Sequence, residues 1–287
     1  MTPSFRARLR ACRSLFLTPS SRPDSFPAAR ANGGDAIIMD LESTVAPADK
    51  GKAREAALAA LRQPPEPDFV RILRINSPRL VEGLRDLLAL HESKARPDAV
   101  IIPKCQSADE IRLVAEVLDG SQSTIGVMPM VELARAVFVA DQMANAHERV
   151  CGLFLGGGDL AADLGTDGAW ENLLFARSRI VAAAATTGIA AIDVPYFKAD
   201  EAGLKNEAAA SRRLGMTGKA ARHAEQLPVI NSIFTPSSDA VTHARSVMAA
   251  VGAANGGAPV LNGQVVELAM IREAQRVAAI ADRQRIH

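Results

Sequence analysis

The sequence predicts a single (β/α)8 barrel, or TIM barrel, followed by a small C-terminal extension of helices and a hairpin. The chain has 287 residues, of which 48% are hydrophobic, enough for one large core. Eight short apolar runs alternate with amphipathic stretches, and no linker separates them. Eight is the number of parallel strands that such a barrel requires. An open, doubly wound sheet is the alternative, because strand count alone does not prove closure.

Each apolar run is short enough for a buried strand and is bounded by polar or turn residues. The predicted strands are Ser14–Leu17, Ala36–Asp40, Val70–Arg74, Ala99–Pro103, Thr124–Met130, Gly152–Leu155, Ala190–Asp193 and Met216–Gly218.

The intervening helices carry start and stop signals. Ser77-Pro78 predicts an N-cap followed by proline at the first helical position. The segment from Ser107 to Glu110 has the spacing of a capping box. Glycines at the predicted helix ends favour termination before the next strand; they are Gly33, Gly188 and Gly215.

The chain after residue 235 predicts an appendage to the barrel. A helix from Pro236 to about Ala250 is followed by a possible hairpin with Asn262-Gly263 at its turn, and then by a helix over Ala269–Ala281. We therefore assign residues 1–235 to the barrel and 236–287 to an extension that packs on the barrel or on a neighbouring subunit.

Composition excludes some classes of function. A formal charge of +1 argues against a nucleic-acid-binding surface, and no apolar run reaches the ~18 residues of a membrane span. Three cysteines without metal-ligand spacing predict reduced thiols and a cytoplasmic protein. The arginines before residue 14 predict a short basic arm rather than a transit peptide.

Polar residues follow nearly every predicted strand, where the active site of such a barrel lies. They are Asp40, Glu42, Arg74, Asn76, Lys104, Glu132, Asp159, Asp193 and Lys219. For Asp40, Lys104 and Asp193 we favour structural ion pairs. A Schiff-base role for Lys104 is the weaker alternative, because nothing in the sequence indicates a lowered pKa.

Glu132 and Asp159 are the strongest candidates for a metal site. Each follows an apolar run, where an unpaired buried charge is costly. Two carboxylates from neighbouring strands suit Mg²⁺, which prefers oxygen ligands and completes its octahedron with water and substrate oxygens. An ion pair for each acid is the alternative. The Gly156-Gly-Gly158 turn lets backbone approach a ligand closely, although alone it is a weak signal.

Eight ordered segments resemble the citrate lyase beta-subunit family of the HpcH/HpaI aldolase superfamily. They begin at Arg13, Met39, Lys52, Arg74, Ile102, Met130, Gly158 and Gly218, and the resemblance covers roughly Arg13 to Ala250.

The resemblance implies a Mg²⁺-dependent TIM barrel that cleaves or forms a carbon–carbon bond in a short 3-hydroxyacyl-CoA such as malyl-, citramalyl- or citryl-CoA. By position, Glu132 and Asp159 resemble the family's metal ligands, and Arg74 resembles the arginine that contacts the substrate. Glu132, Gly158, Glu42 and Arg13 join Arg74 as expected substrate contacts. The resemblance also leads us to expect a homo-oligomer, a trimer or a hexamer.

Three positions depart from the family's pattern. Ser43 replaces an acid in the Leu-Glu-Asp segment, and Arg222-His223-Ala224 replaces Ile-His-Pro, so we expect His223 to be structural or exposed. Some relatives bring an aspartate from the C-terminal segment to a neighbouring subunit's site. The matching position is Glu267, which we predict as a catalytic general acid, with a surface glutamate at the start of a helix as the alternative.

Two other functions remain open from the sequence. A class II pyruvate aldolase for 2-oxo-3-deoxy acids would resemble the chain at the metal ligands, but the loop Glu42–Thr44 lacks the histidine expected there. A carrier-dependent lyase subunit of a larger complex would act on a protein-bound acyl group.

Overall fold

The structure is a computed structural model that describes residues 3–118, 124–254 and 256–284. Eight parallel strands form a closed barrel in sequence order, and the last strand pairs with the first. Closure confirms the predicted barrel and rules out the open sheet. The strands are β1 Ser14–Pro19, β2 Ala36–Asp40, β3 Val70–Arg74, β4 Ala99–Ile102, β5 Gly126–Val131, β6 Gly152–Leu155, β7 Ala190–Asp193 and β8 Gly218–Ala221.

Helices surround the barrel and continue into the C-terminal tail. They are α1 Pro3–Arg10, α2 Phe26–Ala31, α3 Lys50–Leu61, α4 Val81–Glu92, α5 Ala108–Val117, α6 Ala134–Phe138, α7 Ala140–Ala144, α8 Gly157–Leu164, α9 Leu174–Thr187, α10 Glu201–Leu214, α11 Gln226–Phe234, α12 Ser238–Ala253 and α13 Leu268–Gln284. Two single-turn 3-10 helices, Pro23–Ser25 and Pro47–Asp49, lie in the loops after β1 and β2.

Strand residues alternate between the barrel interior and the layer under the helices, as the two-residue period of a strand requires. In β1, Leu15 and Leu17 belong to the interior cluster, whereas Phe16 belongs to the outer one. Helix α1 closes the N-terminal end of the barrel, because its Leu9 packs into the interior cluster and Phe5 lies against it. The expected basic arm is therefore helical.

Two predicted boundaries are wrong in ways that affect the site. Strand β8 does not end at Gly218 but runs from Gly218 to Ala221. Lys219 therefore lies within the strand with its side chain buried, instead of marking the strand's end. Helix α4 begins at Val81 rather than at Pro78, since Ser77 opens a turn in which its carbonyl accepts the N–H of Leu80.

Other local signals are confirmed. Gly188 and Gly215 end α9 and α10 in the left-handed conformation, and Gly33 follows α2 with a φ of 73°. The Ser107 hydroxyl accepts the Glu110 N–H at the start of α5, although the Glu110 side chain reaches the backbone of Gln106, which precedes the cap.

The tail forms its own small hydrophobic cluster. Helices α12 and α13 pack together around Val241, Val247 and Val277, with the predicted hairpin beside them. The hairpin pairs Val260–Leu261 with Gln264–Val265. The end of α13 lies at the N-terminal end of the barrel, where the Gln284 amide donates to Asp35 at 3.1 Å. The division at residue 235 stays a prediction.

All three cysteines are free and buried. In the part of the chain that the structure describes, no helix combines the length and apolarity needed to cross a membrane.

Candidate active site

A cavity of about 640 Å³ opens at the C-terminal ends of the strands. It brings together Arg74, Glu132, Gly158 and Asp159, four of the predicted site residues. The remaining lining residues are Phe16, Leu17, Thr18, Pro19, Arg22, Ser25, Ser43, Thr44, Met130, Phe154, Leu155, Gly156, Gly157, Val194, Pro195, Phe197, Arg222 and His223.

Glu132 is a buried carboxylate that faces this cavity. It directly follows β5 and is 1% exposed. Its Oε1 accepts the backbone N–H of Lys104, and within the described residues its Oε2 accepts no hydrogen bond. Burial raises the pKa of Glu132 to about 7, although the charge of Lys104 opposes the shift. Such a carboxylate gains a great deal from a cation at Oε2.

Gly156 makes room for Glu132. A Cβ at Gly156 would lie 2.3 Å from the Glu132 Cβ and 2.4 Å from its Oε2, closer than any real contact. The first glycine of the turn is therefore required by the neighbouring carboxylate.

Asp159 lies in the first turn of α8, and its side chain is 46% exposed. The backbone N–H of Leu160 donates to the Gly156 carbonyl and is the first in α8 with a carbonyl acceptor. The backbone N–H groups of Gly157, Gly158 and Asp159 are therefore available to a ligand. A helix N-terminus of this kind attracts anionic groups such as a carboxylate.

Arg74 is held in place by Asp40, so that part of its guanidinium faces the cavity. Its Nε and Nη2 each donate to Asp40 at 2.6 Å, and Nη2 also donates to the Ser43 hydroxyl at 2.7 Å. The third nitrogen, Nη1, lies 3.5 Å from Glu42. Burial would raise the pKa of Asp40, but Arg74 outweighs it and lowers that pKa. The ion pair expected for Asp40 is confirmed.

Lys104 and Glu42 extend this network of ion pairs around the mouth of the cavity. The Lys104 Nζ lies 3.2 Å from Glu42 and 3.0 Å from Asp159. Lys50 fixes the Glu42 loop, because its Nζ donates to the Leu41 and Glu42 carbonyls at 2.7 and 2.6 Å. The ion pair expected for Lys104 is also confirmed.

The charges of this cluster do not balance. Its carboxylates are Asp40, Glu42, Glu132 and Asp159, and its cations are Arg74 and Lys104. Within this ion-paired cluster, two negative charges remain when all four carboxylates are ionised, which matches one divalent cation. Arg22 and Arg222 line the same cavity but form no ion pair with these carboxylates among the described residues. No three acidic, histidine or cysteine groups among the described residues are arranged to hold a metal alone. Two carboxylates supplemented by substrate and water oxygens are the usual Mg²⁺ arrangement, so these residues fit the ion.

Arg13 is not at this cavity. It precedes β1, at the opposite end of the barrel, where it makes paired hydrogen bonds of 2.9 Å to Asp35 and one of 2.8 Å to Thr235. The expected substrate contact is therefore corrected: Arg13 links the start of β1 to Asp35 and to the end of α11.

Asp193 and Lys219 also lie outside the cavity, although both were expected at its rim. The alternation of β7 and β8 directs them outward, under α9 and α10. There the Lys219 Nζ donates to Asp193 at 2.9 Å and to Glu207 at 2.7 Å, and Arg177 donates to Asp193 at 2.9 Å. The ion pair expected for Asp193 is confirmed.

Glu267 is exposed and belongs to the tail, near the hairpin. It does not line the cavity of its own chain. Its catalytic role stays a prediction that requires a second subunit. His223 is exposed, as expected, and lines the rim.

Several residues that shape the site were not predicted from the sequence. Arg22 and Arg222 line the cavity, and within the described residues neither has an acidic partner. The buried Gln226 connects two loops, because its Oε1 accepts the N–H of Arg222 and its Nε2 donates to the Tyr196 carbonyl. Arg222 is the first residue after β8, so its place at the cavity follows from the end of that strand at Ala221.

Two carboxylates and an arginine at the strand ends of a closed barrel form a charged cavity suited to a divalent cation and to an anionic small molecule. The profile of the HpcH/HpaI aldolase/citrate lyase family matches residues 13–224, and the chain belongs to this family of lyases.

Relatives align with nearly the full chain. L-malyl-CoA/beta-methylmalyl-CoA lyase of Rhodobacter capsulatus is 32% identical, over 98% of this chain and 97% of the relative. Citrate lyase subunit beta of Escherichia coli strain K12 is 32% identical, over 96% and 95%. The structure resembles that of CitE from Mycobacterium tuberculosis in complex with magnesium, acetoacetate and coenzyme A, at 31% identity and a TM-score of 0.73, covering 96% of this chain and all of that one.

Proposed function

We propose that the protein is a Mg²⁺-dependent carbon–carbon lyase that cleaves a short 3-hydroxyacyl-CoA into an α-oxo acid and an acyl-CoA, or catalyses the reverse. The observation that carries the proposal is the pair Glu132 and Asp159, which meet in one cavity with Arg74 beside them. Both belong to an ion-paired cluster with two more carboxylates than cations. The names of the relatives, which include acyl-CoA lyases, support the substrate class.

Glu132 and Asp159 would hold the ion, with the remaining ligand positions left to substrate and water oxygens. A bound Mg²⁺ would supply Lewis-acid polarisation of the oxygens at the bond that breaks. The free N–H groups of Gly157 and Gly158 would orient the carboxylate of the oxo acid.

Arg74 would contact the reacting oxygens through Nη1, since its other two nitrogens are bound to Asp40. In cleavage, the 3-hydroxyl would give its proton to a water in the open mouth, and the electrons of that O–H bond would form the new carbonyl. The broken carbon–carbon bond would leave its electrons on the thioester as an enolate, which takes up a proton at carbon to give the acyl-CoA. A guanidinium that stays charged and is already oriented stabilises that enolate oxygen.

Arg22 and Arg222 support a substrate that carries phosphates. They lie on the loops after the adjacent strands β1 and β8, across the mouth from Glu132 and Asp159. The metal side would take the oxo acid, and the arginine side suits the phosphates of coenzyme A.

A carrier-dependent subunit is the second candidate, because the chain is as similar to citrate lyase subunit beta as to the malyl-CoA lyases. The deciding experiment is a coupled assay of the purified chain with malyl-, citramalyl- and citryl-CoA, with Mg²⁺ and after EDTA treatment. We expect turnover of at least one free acyl-CoA only when the metal is present. Turnover of 2-oxo-3-deoxy acids alone would favour the pyruvate aldolase, and no turnover without an acyl carrier protein would favour the subunit.

We also propose a homo-oligomer, a trimer or a hexamer, located in the cytoplasm. The position of the tail supports the homo-oligomer. Its cluster packs toward the N-terminal end of the barrel, whereas the cavity is at the opposite end. Glu267 would therefore act only on the site of a neighbouring subunit, where it would return a proton to the enolate carbon.

A further inference from the structure

We propose that Lys104 is an internal counter-ion of the metal site: its ammonium group occupies the cation position beside Asp159 and leaves it when a divalent cation binds. The inference rests on the proposed assignment of Glu132 and Asp159 as metal ligands. Lys104, which the sequence predicts to form a structural ion pair, would thus have a specific role at the metal site.

Lys104 contacts three acids of the site through two different parts of the residue. Its Nζ lies 3.0 Å from Asp159 Oδ2 and 3.2 Å from Glu42 Oε1, and its backbone N–H donates to Glu132 Oε1. Both proposed metal ligands are thus attached to the same residue. No other cation among the described residues contacts Asp159.

The backbone of Lys104 is strained to make these contacts. Its φ is 51°, in the left-handed region that an L-residue adopts only at a cost in free energy. Apart from Asn262 in the hairpin, it is the only non-glycine residue with positive φ in the described chain. The unusual turn after β4 directs the N–H toward Glu132, which fixes the carboxylate with Oε2 toward the cavity.

Electrostatics requires the ammonium and the metal to exclude each other at Asp159. The same carboxylate oxygen cannot serve both cations at close range, because a divalent ion repels a nearby ammonium strongly where water is partly excluded. The Lys104 Nζ lies 3.0 Å from Asp159 Oδ2, the distance of a direct ion pair, so it occupies the space that a cation bound to this oxygen would need. The ammonium must therefore move away from Asp159 when a divalent ion binds there.

The Lys104 side chain can move away from Asp159 toward solvent. It is 36% exposed, and its flexible four-carbon stem can keep the contact with Glu42 while it releases Asp159. Before metal binding, Lys104 would thus neutralise part of the carboxylate charge. When the ion binds, it would take the place of the ammonium beside Asp159.

The test is the Mg²⁺ affinity of the full-length chain, measured by calorimetric titration after removal of metal with EDTA. Lys104→Met removes the competing charge and keeps the length, so we expect Mg²⁺ to bind about tenfold or more tightly than in the wild type. Lys104→Arg keeps the charge and should remain within about threefold of the wild type. Lys205→Met, which removes a lysine from the surface pair with Glu201, is the matched control and should change nothing.

A second readout is the thermal midpoint at pH 8. Without metal, Lys104→Met should melt below the wild type, because the carboxylates repel one another, and Mg²⁺ should raise its midpoint by more. If this variant does not fold, Lys104→Gln replaces it in both measurements.

Unchanged or weaker Mg²⁺ binding by Lys104→Met would overturn the counter-ion role, since a lysine that only clamps the loop would loosen the ligands when removed. Glu132→Gln separates this result from the assignment of the metal site. If Glu132→Gln binds Mg²⁺ as the wild type does, the ligands are wrongly assigned and the inference falls with them.

Discussion

Two charged networks occupy opposite faces of the same barrel sheet, and they differ in charge balance. The network inside the mouth, described above, has two more carboxylates than cations. The network under α9 and α10 is balanced, with Asp193 and Glu207 facing Arg177 and Lys219. Both combine carboxylates with arginine and lysine side chains. The two networks therefore differ in the charge that their own residues leave unpaired, and the excess lies where a ligand can enter.

The pKa shifts show the same contrast. Burial would raise the pKa of Asp193, but Lys219 and Arg177 outweigh it and lower that pKa. For Glu132 burial prevails over Lys104, and the pKa rises to about 7. The balanced network stabilises the charge of Asp193 within the protein, whereas at the mouth Glu132 lacks a partner that outweighs its burial.

The largest effect is expected at Glu132. Glu132→Gln keeps the shape but removes the charge that would hold the metal, so kcat/KM should fall by roughly 10³-fold or more. Stability should be kept, because the buried charge was unpaired at Oε2. The coupled acyl-CoA assay and a thermal melt check both points. Retained activity in this variant, or in EDTA-treated wild type, would contradict the metal site.

Arg74→Lys should reduce kcat/KM by roughly 10²-fold, close to the effect of losing one oriented donor in a preorganised site. Lysine keeps the charge but cannot make the paired hydrogen bonds to Asp40 while also presenting a donor to the substrate. Steady-state kinetics with the best acyl-CoA substrate measure the loss. Near-normal kcat/KM would make Arg74 structural.

Lys219→Met tests the other network. Loss of one partner from a buried ion pair leaves Asp193 short of a counter-charge, so unfolding in urea should become easier by about 3 kcal/mol. Activity of the folded variant at 25 °C should fall much less than for Glu132→Gln. Lys205→Met, at the surface, should change stability by less than about 0.5 kcal/mol. Equal losses in the two lysine variants would contradict the contrast.

The pKa of Glu132 predicts a pH dependence. Metal binding requires the carboxylate, so Mg²⁺ affinity should fall about tenfold for each pH unit below 7 and level off above it. Because the folded pKa exceeds the ordinary value of 4.5, the metal-free protein should lose stability as pH rises from 4.5 through 7. Thermal shift with Mg²⁺ should therefore increase with pH. An affinity that is flat from pH 5.5 to 8 would contradict this assignment.

The last effect concerns Glu267 and depends on a second subunit. If the tail of one subunit closes over the next, Glu267→Gln should lower kcat with little change in the thermal midpoint, by about 10²-fold for a general acid. Exposed Glu201 provides a control, because Glu201→Gln should leave kcat unchanged. An unchanged rate for Glu267→Gln would leave this residue as a surface glutamate before α13.

Much of the fold was predictable because its signals are local. The apolar runs located all eight strands, the left-handed glycines ended α9 and α10, and Asn262-Gly263 formed the hairpin turn. The order of the strands then places Glu132 and Asp159 at neighbouring strand ends in any closed parallel barrel. The types and positions of the two proposed metal ligands were therefore determined by the sequence alone.

Only the tertiary structure decided which side of the sheet each charged residue faces and which partners it has. A one-residue change in a strand's phase moves a side chain from the cavity to the helix layer. For this reason Lys219 and Asp193 lie outside the cavity. Arg222 lines it, because β8 extends to Ala221 and Arg222 directly follows. The placement of Arg13 beside Asp35, and of Lys104 between Glu42 and Asp159, depends on segments far apart in the chain. Charge pairing is a property of three-dimensional proximity, which local sequence patterns do not contain.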